Sequence, residues 1–158
     1  MKILYHCFGG THSSVLAAAL HLGFLDPQRQ PTDSELKALP FFDKRAGSDY
    51  GRIAFYGRDE QGREVWILGR QGYARVAEDV FKSLFHALIE DGRQLLVDTT
   101  PILNWQMRIG GYLSRRARWK HIGFFLIARG TRKAYPRLVQ LVKQAKEEIK
   151  RIEGHTVH

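Results

Sequence analysis

A single cysteine, Cys7, in 158 residues excludes an intramolecular disulfide framework, so the fold must rest on a packed core. Long hydrophobic runs are missing as well: no window reaches the roughly 18 uncharged apolar residues that a membrane span requires. The N-terminus enters an apolar segment after one lysine and shows no small-residue cleavage site, so no secretory leader is expected. These absences point to a soluble protein of a reducing compartment, the cytoplasm. A third absence is local: the 48 residues from Thr99 to Lys146 contain no Asp or Glu but eleven Lys or Arg. The formal net charge of +9 is therefore concentrated in the C-terminal half, where it favours anionic partners such as phosphate ligands, nucleic acid or an acidic protein. The plainer alternative is a solvated basic surface that keeps the protein in solution.

What is present suits one α/β domain spanning residues 1–158, since 44% of the residues are hydrophobic and no linker or internal repeat interrupts them. Lys2 to His6 is a short apolar run of β formers followed by glycines, the pattern of a buried first strand. Ser13 or Ser14 is placed to cap a helix over Val15 to Leu22 that stops at Gly23. Thr32-Asp33-Ser34-Glu35 is a capping-box start for a short helix ending near Pro40, and Phe41 to Asp49 is read as irregular. Arg52 to Gly57 and Arg63 to Gly69 flank a polar turn and predict a hairpin. The spacing of Ala77, Val80, Phe81, Leu84 and Leu88 predicts an amphipathic helix over Tyr73 to Glu90.

Gln94 to Val97 predicts a fourth strand, and a helix is expected from about Ile102 to Arg116, with Gly110-Gly111 marking a break or a tight contact. Ile122 to Ala128 has the most strand-like composition in the chain, and Arg129-Gly130-Thr131 would turn it into a last helix with Leu138, Val142, Ala145, Ile149 and Ile152 along one stripe. Three strand-to-helix units predict a three-layer, Rossmann-like α/β sheet, mostly parallel, with the hairpin added at one edge.

In such sheets ligands collect at the carboxyl ends of the strands. Cys7 to Ser14, Asp98 to Asn104 and Arg129 to Arg132 should meet there. The first loop, with Gly9, Gly10, Thr11, Ser13 and Ser14 at a helix start, has the composition of a phosphate cradle, although glycine and serine at such a junction also serve as a plain turn and cap. His12 is a candidate acid or base, and Asp98 a candidate base or magnesium ligand, or the cap of the turn at Thr100. Asn104, Arg108 and Arg129 are candidate ligand contacts, with pairing of Asp98 and Arg129 the alternative. No metal site is assigned to His6, Cys7 and His12, because neighbours on a strand point to opposite faces. Arg115-Arg116-Ala117-Arg118-Trp119-Lys120 interleaves charge with an aromatic, as nucleic-acid surfaces do, and equally suits a solvated turn.

The loop lacks the lysine and glycine spacing of a nucleotide-binding P-loop. From Cys7 to Ser14 it resembles the C-x-x-x-x-x-R-[ST] loop of low-molecular-weight tyrosine phosphatases and arsenate reductases, a resemblance that would make Cys7 a nucleophile, except that Ser13 stands in the arginine position. Over most of the chain, "YHCFGGTHSS", "LPFFDK", the "GRIAFYGRDEQGREVWILGR" hairpin and "RIGGYLSR" resemble a family of small proteins from spore-forming Gram-positive bacteria catalogued as a domain of unknown function. That resemblance implies no reaction. The residues themselves lead to an expectation of a phosphate-bearing small molecule or nucleotide at the first loop, with turnover left open. The alternatives are an adaptor that docks nucleic acid or an acidic protein on the basic half, and a degenerate phosphatase.

Overall fold

A computed structural model describes residues 1–44, 49, 51–71, 83 and 93–154. The protein is α/β. Strand β1 (Lys2–Cys7) leads through a tight loop into helix α1 (Ser13–His21), which stops at Gly23, whose φ of +77° suits glycine. Helix α2 (Asp33–Ala38) opens with a complete capping box between Thr32 and Glu35. The hairpin of β2 (Ile53–Arg58) and β3 (Glu64–Gly69) is followed, after residues 72–92, of which only Ser83 is described, by β4 (Gln94–Asp98). A 3-10 turn at Thr100–Ile102 precedes helix α3 (Trp105–Ser114), and a second at Ala117–Trp119 enters the 35-residue helix α4 (Lys120–Gly154).

The sheet has four strands in the order β2-β3-β1-β4. β1 is central and parallel to both β3 and β4, while β2 pairs antiparallel with β3 at the edge. The hairpin therefore does extend one edge, and its inner strand belongs to the parallel part. Ile3, Tyr5, Val65 and Ile67 pack with Val15, Leu16 and Ala19 of α1 and with Ile127, Leu138, Val142 and Ile149 of α4 in one core. Leu4 and His6, which alternate with them along β1, are also buried. Among the described residues no helix is long and apolar enough to cross a membrane.

Two expectations change, and Gly110-Gly111 takes the second of its two readings, a tight contact. Ile122 to Ala128 is not a strand: it lies in the first turns of α4, and Arg129-Gly130-Thr131 continues that helix instead of turning it. The buried positions Gly123, Ile127, Gly130, Ala134, Leu138, Val142, Ala145 and Ile149 recur every three or four residues, so helical burial overrides local β propensity. Gly110-Gly111 does not break α3. A Cβ at Gly110 would sit 2.7 Å from the Gly123 carbonyl oxygen of α4, and one at Gly111 2.8 Å from His12 Cε1, so the two glycines serve close packing on two sides. Finally, neither Ser13 nor Ser14 caps α1, because the cap position is His12 and makes no side-chain capping bond. The helix predicted over Tyr73 to Glu90 lies outside the described residues, apart from Ser83.

Candidate functional site

The carboxyl ends of β1, β3 and β4 meet at Cys7, Gly69 and Asp98, as the parallel register requires. There the first loop is packed against the protein. Gly10 has φ +63°, and a Cβ on it would lie 2.7 Å from the Gly69 Cα, so only two glycines let the loop and β3 touch backbone to backbone. Phe8 O accepts from the Gln71 amide at 2.9 Å and Cys7 O from the Arg70 amide at 3.0 Å, which extends the β1–β3 pairing into the loop.

The hydroxyls expected to face a ligand point inward. Ser13 and Ser14 are fully buried. Thr99 Oγ1 lies 2.9 Å from the His6 carbonyl and 2.9 Å from Ser13 Oγ. Thr99 is the donor to both, so its single hydroxyl proton is shared between the His6 carbonyl and Ser13 Oγ. Ser14 Oγ is 3.3 Å from Cys7 Sγ, which also accepts from the Gly10 amide at 3.1 Å. Thr11 donates to Phe41 O at 3.0 Å. Cys7 is buried, so nucleophilic chemistry there would require this packing to open.

His12 is placed differently. Its Nε2 lies 3.1 Å from Asp43 Oδ1, which also accepts from Ser114 Oγ at 2.8 Å. A carboxylate only accepts, so the imidazole proton sits on Nε2 and Nδ1 is the acceptor of the neutral ring. The ring packs edge-on against Phe42 and beneath Gly111, where a Cβ would be 2.8 Å from Cε1. Asp43 is delivered by a strained turn. Phe41 and Asp43 have φ of +62° and +53°, in the left-handed region that side chains rarely adopt. The turn is held by the Thr11 hydroxyl bond and by the Asp43 amide donating to Thr11 O at 3.1 Å. Segments quoted from three distant parts of the sequence, "YHCFGGTHSS", "LPFFDK" and "IGGYLSR", thus meet at one imidazole.

Asp98 accepts from the Thr100 amide at 2.8 Å, the capping bond that is one of its three alternatives, and from Arg70 Nη2 at 2.8 Å. Arg70 also donates through Nε to His6 Nδ1 at 2.9 Å, and since an arginine cannot accept, His6 is neutral at that nitrogen. Partial burial opposes ionisation of Asp98, but the Thr100 hydrogen bonds and the Arg70 charge outweigh it and hold its carboxyl below the usual range. Its partner is thus Arg70, not Arg129. Among the described residues no group of three or more His, Cys, Asp or Glu is placed to hold a metal ion.

A cavity of about 380 Å³ opens between the first loop and α3. Phe8 and His12 form one wall, Arg108, Tyr112 and Arg115 the other, with Thr100 and Met107 between. Of the predicted contacts, His12 and Arg108 border it. Asn104 caps α3 by accepting from the Met107 amide at 3.0 Å and donates to Gly130 O at 2.7 Å, so it fastens α3 to α4. Arg129 is an exposed residue on α4, because no strand ends there. Asp43, Ser114, Arg70, Phe8, Tyr112 and Arg115 were not predicted as ligand contacts. Arg115 carried a signal as part of a basic cluster, and Asp43 stood in a quoted segment with no indication of its partner.

The model of a family described as "Protein of unknown function (DUF3189)" matches residues 2–147, and the chain belongs to that family. No curated protein and no solved structure matches it.

Proposed function

We propose that this DUF3189 protein binds a phosphate-bearing small molecule of nucleotide size in the cavity between the first loop and α3. The observation that carries this reading is the joint lining of one concave, mostly apolar space by two guanidinium groups and a carboxylate-held imidazole. Its volume of about 380 Å³ suits a small ligand. Arg108 and Arg115 supply planar donor forks for phosphate oxygens, and Phe8 offers ring surface to an aromatic portion. His12 is the imidazole in the wall, placed to exchange a proton with a ligand. Gly9, Gly10, Thr11, Ser13 and Ser14 act from behind, fixing the loop that carries Phe8 and His12. Burial of both faces of β1 supports reading the fold as a three-layer, Rossmann-like sheet, in which this cavity takes the usual ligand position.

Thermal-shift and calorimetric titrations with ATP, GTP, AMP and inorganic phosphate test the proposal. A nucleotide should stabilise the protein, and Arg108→Ala should weaken it at least about tenfold, the cost of one charge-assisted contact. Ser13→Ala should lower the melting temperature of the free protein and leave the affinity unchanged. Affinity untouched by Arg108→Ala and Arg115→Ala together, or no stabilisation by any of these compounds, would overturn it.

A further inference from the structure

Helices α3 and α4 approach until their backbones touch. A Cβ at Gly123 would be 2.6 Å from the Ser114 Cα, and one at Gly110 would be 2.8 Å from the Ile127 amide nitrogen. Large apolar side chains are exposed along this helix pair and the turn that joins it: of nine exposed ones among the described residues, six are Trp105, Ile109, Tyr112, Trp119, Ile122 and Phe125. Phe125 is 58% exposed and Trp105 61%, values that a helix face turned to water alone does not favour. Trp105, Ile109 and Tyr112 are spaced four and three apart, the signature of a helix stripe awaiting a partner.

The same stretch is free of acid and carries Arg108, Arg115, Arg116, Arg118, Lys120 and Arg129. Two features separate the anionic partners this charge could take. Arg116 already lies over the Tyr112 ring, 4.5 Å from its centroid, and hydrogen-bonds its hydroxyl, so that face is closed to a nucleobase. Between the aromatics stand Ile109 and Ile122, which offer no stacking surface but fit aliphatic side chains. A second copy would set two such basic surfaces against each other. We infer that the outer face of α3 and the first turns of α4 is a docking surface for an acidic, amphipathic segment of another protein, its apolar stripe on Ile109, Ile122 and Phe125 and its carboxylates on the surrounding arginines.

Fluorescence anisotropy with the full-length protein and a labelled synthetic helix, Leu and Phe on one side and Glu on the other, tests this. The expected result is salt-sensitive binding that weakens at least about tenfold both in Ile109→Ser/Ile122→Ser and in Arg118→Glu/Lys120→Glu, with circular dichroism unchanged. Four results would overturn the inference. They are equal binding by the variants, equal binding of a Glu-rich peptide without apolar residues, preferential binding of oligothymidylate that ignores the isoleucine changes, and a concentration-dependent dimer abolished by those changes.

Discussion

Helix α1 carries a histidine at each end, and each histidine meets an aspartate. His12 pairs with Asp43 at 3.1 Å and His21 with Asp59 at 3.3 Å. Both histidines border a cavity, and the one beside His21 is the larger at about 660 Å³. Neither the pairing nor the space distinguishes them. Closure does. At His21 both ring nitrogens are used, since Tyr5 OH donates to Nδ1 at 2.8 Å while Nε2 faces Asp59. Asp59 in turn takes Arg63 Nε at 2.7 Å, and Arg63 reaches Glu153 at 3.1 Å, which ties the hairpin turn to the end of α4. At His12, among the described residues, the chain of bonds runs one way only, through Nε2 to Asp43 and Ser114. A histidine whose hydrogen bonds are all supplied by the fold is a brace, and one with a nitrogen left over beside a cavity can serve a ligand.

The largest effect that should separate the two ends is His21→Ala. It strips the Tyr5 hydroxyl of its acceptor, takes a donor from Asp59 and opens a void, which together cost about 3 to 4 kcal/mol in urea unfolding at pH 7. His12→Ala, with one bond and a looser setting, should cost about 1 to 2 kcal/mol. Equal costs would erase the distinction.

Acid should find the same brace. Burial, opposed by the Asp59 hydrogen bond and reinforced by the Lys146 charge, lowers the His21 pKa to about 4. Between the unfolded value near 6.5 and that folded value, the unfolded chain binds a proton that the native state refuses. Stability therefore falls as pH drops through this window, by about 3 kcal/mol in all. Denaturation midpoints measured from pH 7 to pH 4 should show the loss, and His21→Gln should flatten it.

Local patterns made much of the fold readable. β1, the hairpin, β4, the capping box of α2 and the glycine stop of α1 each depend on residues within one turn or one strand. Ile122 to Ala128 defeated the same logic because its β formers lie where a long amphipathic stripe, visible only from Gly123 to Ile149, dictates a helix packed on α3. The site divides likewise. His12 and Asp98 stand out because they follow strands, whereas Asp43 reaches His12 across 31 residues, Ser114 reaches Asp43 across 71, and Arg70 reaches His6 across 64. The serines failed for another reason: composition identifies a helix start rich in hydroxyls but not which way they face, and Thr99, 86 residues from Ser13, turns that hydroxyl inward.

The smallest effect is the sharpest probe of the open end. Asp43→Asn should change stability by no more than about 1 kcal/mol, because asparagine tolerates the left-handed backbone there better than most residues and still offers an acceptor to Nε2–H and to Ser114. An amide can also turn and donate, so the His12 tautomer is no longer fixed. Nitrogen NMR of the ring should show the Nε2–H form alone in the parent protein and a mixture of tautomers in the variant. The matching change Asp59→Asn should cost more, since that carboxylate holds Arg63 as well as His21, and the Arg63 bonds weaken with the lost charge. If the two substitutions prove equally destabilising and the His12 tautomer stays single, His12 is as fully braced as His21, and the cavity beside it loses its proton-moving group.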